Sequence, residues 1–195
     1  DGACGVHIVF DHKVILGTRA RKMRTKSYNA FSSIDYPETA VFRDTRLVTF
    51  LRRPADQPPV RFYERLEPAV FVLRLVPGMR ADIIPLLAPH YRALVLESFG
   101  VGGLPGGEHG EMFAALRRWC ESGRLAVFTT QVPHEGCDLA VYEVGRAVGE
   151  LPGVLEARDM TPEAVAVKLM WALGQTEDRE KAARLFETPI EYDIM

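Results

Sequence analysis

The sequence predicts an α/β protein in two parts: a β-rich stretch over residues 1–60, then an α/β domain with a parallel sheet over residues 61–195. Three observations carry this. Up to Leu51, short runs of β-branched and aromatic residues are separated by turn residues. Prolines then cluster at Pro54, Pro58 and Pro59. From Ala69 onward, near-continuous apolar runs alternate with amphipathic segments, the pattern of parallel strands joined by crossing helices.

In the first part, Val6 to Phe10 (VHIVF) reads as a strand, Asp11-His12-Lys13 as a turn, and Val14 to Leu16 as a second strand ending at Gly17, together a hairpin. A basic stretch follows, GTRARKMRTKSYNAFSS from Gly17 to Ser33, with positive side chains at Arg19, Arg21, Lys22, Arg24 and Lys26. Phe31 to Tyr36 is a loop or short extended piece closed by Pro37. ETAVF and RLVTFL predict another hairpin, turning around Asp44. The prolines after it mark a linker, because each locks φ and removes a backbone donor that a sheet would need.

In the second part, Val70 to Val76 is expected to be a strand covered on both faces. Met79 to Leu87 reads as helical through Ile83, Ile84 and Leu87, with Pro85 forcing a late start or a kink. ALVLESFG, Ala93 to Gly100, is a second buried strand leading into a glycine-rich loop. Met112, Leu116, Trp119 and Cys120 share one helical face, and Gly123 is placed to end that helix. Leu125 to Thr130 is a third strand, and the remainder is expected to be helical. Thr161-Pro162-Glu163 supplies a cap, a first-turn proline and a first-turn acid for a helix whose stripe is Val165, Leu169, Ala172 and Leu173, with Gly174 as its terminator. A last helix is expected from about Glu177 to Glu187. In a sheet of this type ligands bind at the carboxyl ends of the strands, in the loops after Leu75, Ser98 and Thr130.

Acids and bases nearly balance, giving a net charge of -2, which argues against a chain built around nucleic acid or an anionic membrane surface. Cys4, Cys120 and Cys137 match neither a zinc spacing nor a redox pair and read as reduced thiols in a cytosolic protein. No apolar run approaches the roughly 20 residues of a membrane helix. The first strand follows almost directly on Asp1, so a preceding portion is expected. No metal or cofactor motif is present.

Three places hold residues suited to chemistry. Gly100, Gly102, Gly103, Gly106 and Gly107 follow a strand and precede a helix, but their spacing is neither a P-loop nor a dinucleotide fingerprint, so a structural turn is the simpler reading. His134-Glu135 and Gln131 lie at the correct sheet edge. A zinc helix would need a second histidine where Asp138 stands, and His7, His12, His90 and His109 are unclustered. The basic stretch is either a solvated face or a surface from which one lysine turns inward, and periodicity does not choose between these.

Taken together, GTRARKMRTKSYNAFSS, SFGVGGLP, the strand end TTQ and RDMTPEAVAVKLMWAL resemble the C-terminal half of bacterial type I, cytoplasmic L-asparaginases. The asparaginase-like subunit of the archaeal glutamyl-tRNA amidotransferase has the same layout. The resemblance implies that residues 1–60 close a larger N-terminal α/β domain and that 61–195 form the smaller C-terminal one. It also implies hydrolysis of asparagine to aspartate and ammonia, without a cofactor, by two threonine-centred groups. One threonine of the family lies in a T-G-G-T segment; the other lies in a T-D-T motif whose aspartate pairs with a lysine. Lys22 falls on that lysine's position.

A threonine hydroxyl attacks poorly until a base takes its proton, and a lysine serves as that base only when burial or neighbouring cations weaken its hold on its own proton. Lys22 is therefore expected to be buried, with Arg19 and Arg24 not both so. Gly102, Gly103 and Gln131 are the expected substrate-facing positions. Neither threonine motif occurs in this chain, so the resemblance implies an N-terminal asparaginase portion as its partner. The family often has asparagine where Gly103 stands, so contact there would come from backbone. Glu97 replaces the arginine of a regulatory asparagine site found in some relatives, so that regulation is not expected. A cytoplasmic homo-oligomer, dimer or tetramer, is implied by analogy. The alternatives are a subunit of a tRNA-dependent amidotransferase, and a non-catalytic module that keeps the fold.

Overall fold

The computed structural model describes residues 5–51, 59–107 and 109–195. Its first part is an antiparallel sheet of β1 (His7–Phe10), β2 (Lys13–Leu16), β5 (Ala40–Arg43) and β6 (Arg46–Thr49), in the order β1-β2-β5-β6. Both expected hairpins form, each around a two-residue turn. Phe10 pairs with Lys13 across Asp11-His12, and Arg43 pairs with Arg46 across Asp44-Thr45. Asp11, His12 and Asp44 hold φ of 48°, 63° and 53°, a left-handed backbone that short polar side chains tolerate and that tight hairpins require. Inside the basic stretch the sequence pattern showed no strand. There β3 (Ala20–Lys22) pairs with β4 (Phe31–Ser33) as a separate two-stranded ribbon.

The second part is a four-stranded, all-parallel sheet in the order β10-β9-β8-β7, formed by β7 (Val70–Arg74), β8 (Ala93–Ser98), β9 (Leu125–Thr130) and β10 (Val154–Glu156). The apolar runs of β8 and β9 are continuous because both faces are covered. Strand β7 lies at the sheet edge and leaves Val72 exposed, so the expectation that it is covered on both faces fails. Leu94, Leu96, Ala126 and Phe128 face one core with Met112, Leu116 and Trp119. Ala93, Val95, Leu125 and Val127 face the other with Val165, Leu169 and Phe186. Helices α1 (Ile83–Leu87), α2 (Glu111–Glu121) and α3 (Glu143–Gly149) precede β8, β9 and β10, while α4 (Pro162–Gln175) and α5 (Arg179–Glu187) close the chain.

Several expectations change in detail. The first helix starts only at Ile83, which places Pro85 in the opening turn, where its missing N–H breaks no bond. The stretch between Thr130 and Thr161 is not all helical. It holds β10, whose three residues are too few to show a period, and α3, which buries only Gly145 and Val148. Gly123 ends α2 in a left-handed backbone, φ 89°, as the spacing predicts. Gly174 does not end α4, which runs on to Gln175. A Cβ there would lie 2.5 Å from the carbonyl oxygen of Arg65, so this glycine admits the segment before β7 where it crosses α4. The same segment donates from Glu67 N to the Met170 carbonyl at 2.9 Å and sets Tyr63 edge-on to Trp171. Of the expected linker prolines, Pro54 and Pro58 lie outside the described residues.

Candidate functional site

The β3–β4 ribbon carries Lys22 at its outer end, paired with Phe31. Residues 22–29 are all exposed, so the expectation that Lys22 is buried fails. The physical reason is local: β3 and β4 pair only with each other beyond the sheet, and nothing in the described chain lies over their outer ends. The Lys22 ammonium stands 6.0 Å from the centre of the Phe31 ring, and no carboxylate of the described residues pairs with it. Phe31 and Tyr28 both pack on Phe10, which holds one side of the ribbon to β1. Arg24 is exposed and contacts Asn29 across the ribbon tip.

At the root of the ribbon the situation reverses. Arg19 is fully buried, so the expectation that Arg19 and Arg24 are not both buried holds. Its Nε donates to the Tyr192 carbonyl at 2.6 Å, and its Nη1 lies 2.9 Å from both the carbonyl and a carboxylate oxygen of Asp159. One residue earlier, the Thr18 carbonyl accepts from Thr161 Oγ1 at 3.0 Å. That hydroxyl oxygen also caps α4 by accepting from Ala164 N. Two sequence motifs, the basic stretch and RDMTPE, thus meet in space. Pattern reading missed Arg19, Asp159 and Tyr192 as a group, although Arg19 and Asp159 each lie within one of those motifs.

A second junction joins the carboxyl edge of the parallel sheet to the loop after β4. His134 Nδ1, beyond β9, lies 3.2 Å from Asp35 Oδ1. The three expected substrate-facing positions sit at this edge, and their polar groups already have structural partners. Gln131 Nε2 donates to the carbonyls of Leu75 and Glu97 at 2.6 and 2.9 Å, stapling the ends of β7 and β8 to β9. The backbone amides of Gly102 and Gly103 both donate to the Phe99 carbonyl, at 3.1 and 2.8 Å. A Cβ on Gly102 would meet Leu139 Cδ2 at 2.5 Å, so the glycines serve a tight turn packed against the loop before α3.

Burial shapes the remaining titratable groups. It pushes the thiols of Cys120 and Cys137 up to about 11 and about 12, so both are protonated and inert at neutral pH. Lys168 on α4 is shifted downward by burial, opposed by the Asp193 carboxylate 2.8 Å away, an ion pair with its ammonium over the Phe186 ring. Among the described residues no group of three His, Cys, Asp or Glu side chains is placed to hold a metal, and no helix is long and apolar enough to cross a membrane.

A covered parallel sheet, joined through an arginine anchor to an antiparallel sheet with a lysine-bearing ribbon, defines a mixed α/β protein in two connected parts. The chain matches the glutaminase/asparaginase C-terminal domain over residues 69–186 and the N-terminal asparaginase domain over residues 2–55. It belongs to the asparaginase family. It is 38% identical to the L-asparaginase of Thermococcus kodakarensis over 194 residues, 99% of this chain and 58% of that protein. It is 36% identical to a glutamyl-tRNA(Gln) amidotransferase subunit of Metallosphaera sedula over 178 residues, 88% of this chain and 39% of that one. The solved structure of the Thermococcus enzyme superposes with a TM-score of 0.91 at 35% identity, covering 98% of this chain and 57% of that chain. L-asparaginase I from Vibrio cholerae shares the fold, with a TM-score of 0.80 at 24% identity over 97% of this chain and 57% of that one. The chain spans a little over half the length of the asparaginases it matches. The resemblance read from the four motifs is borne out.

Proposed function

We propose that this chain is the C-terminal portion of an L-asparaginase that hydrolyses L-asparagine to L-aspartate and ammonia, and that it supplies the catalytic lysine, Lys22. The observation that carries the reading is the 38% identity to an L-asparaginase across 99% of the chain. In this mechanism a threonine hydroxyl of the N-terminal asparaginase portion attacks the side-chain amide carbon, and its proton passes toward Lys22. The C–N bond breaks as that proton is delivered to the nitrogen, which leaves as ammonia, and water then cleaves the acyl-threonine to free aspartate and restore the threonine hydroxyl. Lys22 is open and without a carboxylate partner among the described residues, which leaves room for the aspartate and threonines it would need. Residues 1–60 then close the N-terminal domain and 61–195 form the C-terminal domain of a cytoplasmic homo-oligomer. Gly102, Gly103 and Gln131, at the carboxyl edge of the parallel sheet, are the proposed substrate-facing positions.

A second reading is a subunit of a tRNA-dependent amidotransferase, favoured by the match to the Metallosphaera amidotransferase protein over 88% of the chain. One assay separates the two: ammonia release from free L-asparagine by the full-length protein, without tRNA or a companion chain. Turnover supports the asparaginase reading. Release that appears only with tRNA and a companion supports the second.

A further inference from the structure

Arg19 stands three positions before Lys22 and is the only arginine among the described residues with no exposed surface. A guanidinium is buried at a large desolvation cost, recovered only through well-placed partners, and its partners here come from far along the chain. Asp159 and Tyr192 lie 140 and 173 positions away. Each partner is itself held. A second Asp159 carboxylate oxygen accepts from Met195 N at 2.9 Å, the Tyr192 ring stacks on Tyr36, and the neighbouring Asp193 pairs with buried Lys168. Arg19 also lies over the Tyr36 ring, 5.4 Å from its centre. The last residues of the chain thus form a strap that binds both parts at the ribbon root.

Backbone bonds pass this grip to the ribbon. Ile34 N donates to the Arg19 carbonyl at 2.9 Å, Ala20 pairs with Ser33, and the ladder continues through Lys22–Phe31 to Met23 N on the Ala30 carbonyl at 2.7 Å. Among the described residues the ribbon is also tied by Phe31 and Tyr28 on Phe10, by contacts of β4 with β2, and by an Arg21–Glu163 pair at 3.5 Å, whose exposed carboxylate makes it weak. We propose that Arg19 is the positioning residue of the lysine ribbon: by gripping Asp159 and the Tyr192 carbonyl it fixes β3, and with it Lys22, against the C-terminal domain and the terminal strap. The consequence for turnover rests on Lys22 being catalytic.

The test uses the full-length protein with Arg19→Met, Arg19→Lys and Asp159→Asn, the last keeping shape and the backbone acceptor. Amide hydrogen exchange is followed at Met23 and Ile34 of the ribbon and at Leu94 to Leu96 of β8, alongside kcat and KM for ammonia release from L-asparagine. Expected for Arg19→Met and Asp159→Asn is ribbon exchange faster by about tenfold or more with β8 unchanged. In the same variants kcat is expected to fall roughly 10- to 100-fold with KM within about threefold, as for a misplaced reactive group. Arg19→Lys keeps the charge but loses the fork and should fall between these and wild type. Ribbon exchange equal to wild type in Asp159→Asn overturns the anchor, and a loosened ribbon with undiminished kcat overturns the positioning role. If the wild type does not hydrolyse asparagine, or Lys22→Ala remains fully active, the functional reading fails. The exchange measurements then uphold or overturn the Arg19 anchor by themselves.

Discussion

The Nε of Arg19 lies 2.6 Å from the carbonyl oxygen of Tyr192, so a side chain near the start of the chain grips backbone near its end. The β-rich part is therefore not an appendage on the parallel-sheet domain. Its ribbon root, the N-terminus of α4 and the terminal strap share one buried polar junction, completed by Thr161 on the Thr18 carbonyl. The lysine assigned to chemistry stands just outside that junction, in the open.

Replacing Lys22 separates function from stability. Its side chain is exposed and its ammonium reaches only the distant face of Phe31, so Lys22→Ala should change unfolding free energy by no more than about 0.5 kcal/mol. In the full-length protein kcat for asparagine should fall by orders of magnitude. Urea unfolding of this chain checks the first half and steady-state kinetics of the full-length protein the second, and near-normal turnover would remove the assigned role.

Thr161 does two jobs with one hydroxyl, accepting from Ala164 N as the cap of α4 and donating to the Thr18 carbonyl. Thr161→Val keeps the shape and loses both. A lost cap alone costs about 1 kcal/mol, and the unpaired Thr18 carbonyl adds to this, so about 2 kcal/mol is expected by urea denaturation. Thr161→Ser should retain most of that stability, and an equal loss in both variants would place the effect in packing.

Much of this fold was legible because its period is simple. Leu125 to Thr130 reads as a strand because all six residues are apolar or β-branched, and α4 announces itself through Thr161-Pro162-Glu163. The elements that escaped lack such a signal. Three residues, Ala20 to Lys22, cannot establish alternation, least of all when two are charged, and Val154 to Glu156 are equally short. The burial of Arg19 escaped for another reason: charge patterning places an arginine among four other basic residues at the surface, and only partners 140 and 173 positions away make its burial possible. Lys22 errs in the opposite sense. Its residue type and motif point to a buried base, but in this chain no described element covers the ribbon tip.

The two described cysteines give a pH-dependent expectation. Burial raises both thiols from an ordinary 9.0, to about 11 for Cys120 and about 12 for Cys137, so at pH 9–11 the unfolded chain releases protons that the folded chain retains. Their contribution to stability is thus full below pH 9 and is lost as pH rises through those folded values. Lys168, shifted downward, pulls the opposite way over the same alkaline range, so total stability is an ambiguous readout. Thiol labelling is direct. Cys120 and Cys137 should resist an aromatic disulfide reagent at pH 8 in the native protein and react at once in urea. Rapid native labelling at either position would contradict the burial.

Gly174 and Gly149 offer a paired test of how the segment before β7 is held. An alanine Cβ at Gly174 would fall 2.5 Å from the Arg65 carbonyl oxygen, 2.8 Å from its carbon and 3.0 Å from Leu66 Cα, all backbone atoms that cannot swing aside. At Gly149, the last residue of α3, the nearest atoms are Leu139 Cβ and Cδ1 at 3.9 Å, an ordinary contact. Helix propensity favours alanine over glycine by up to about 1 kcal/mol at both places. Only at Gly174 is that gain opposed by overpacking, typically about 1–3 kcal/mol. Gly149→Ala should therefore be neutral or slightly stabilising, whereas Gly174→Ala should be destabilised by about 1–2 kcal/mol. The segment can relieve the clash only by lifting, which breaks the Gln175 bond to the Arg65 carbonyl and parts Tyr63 from Trp171. A red shift of tryptophan emission in Gly174→Ala, absent in Gly149→Ala, would report that displacement. Equal gains in stability from both substitutions would show that the segment does not press on α4 there.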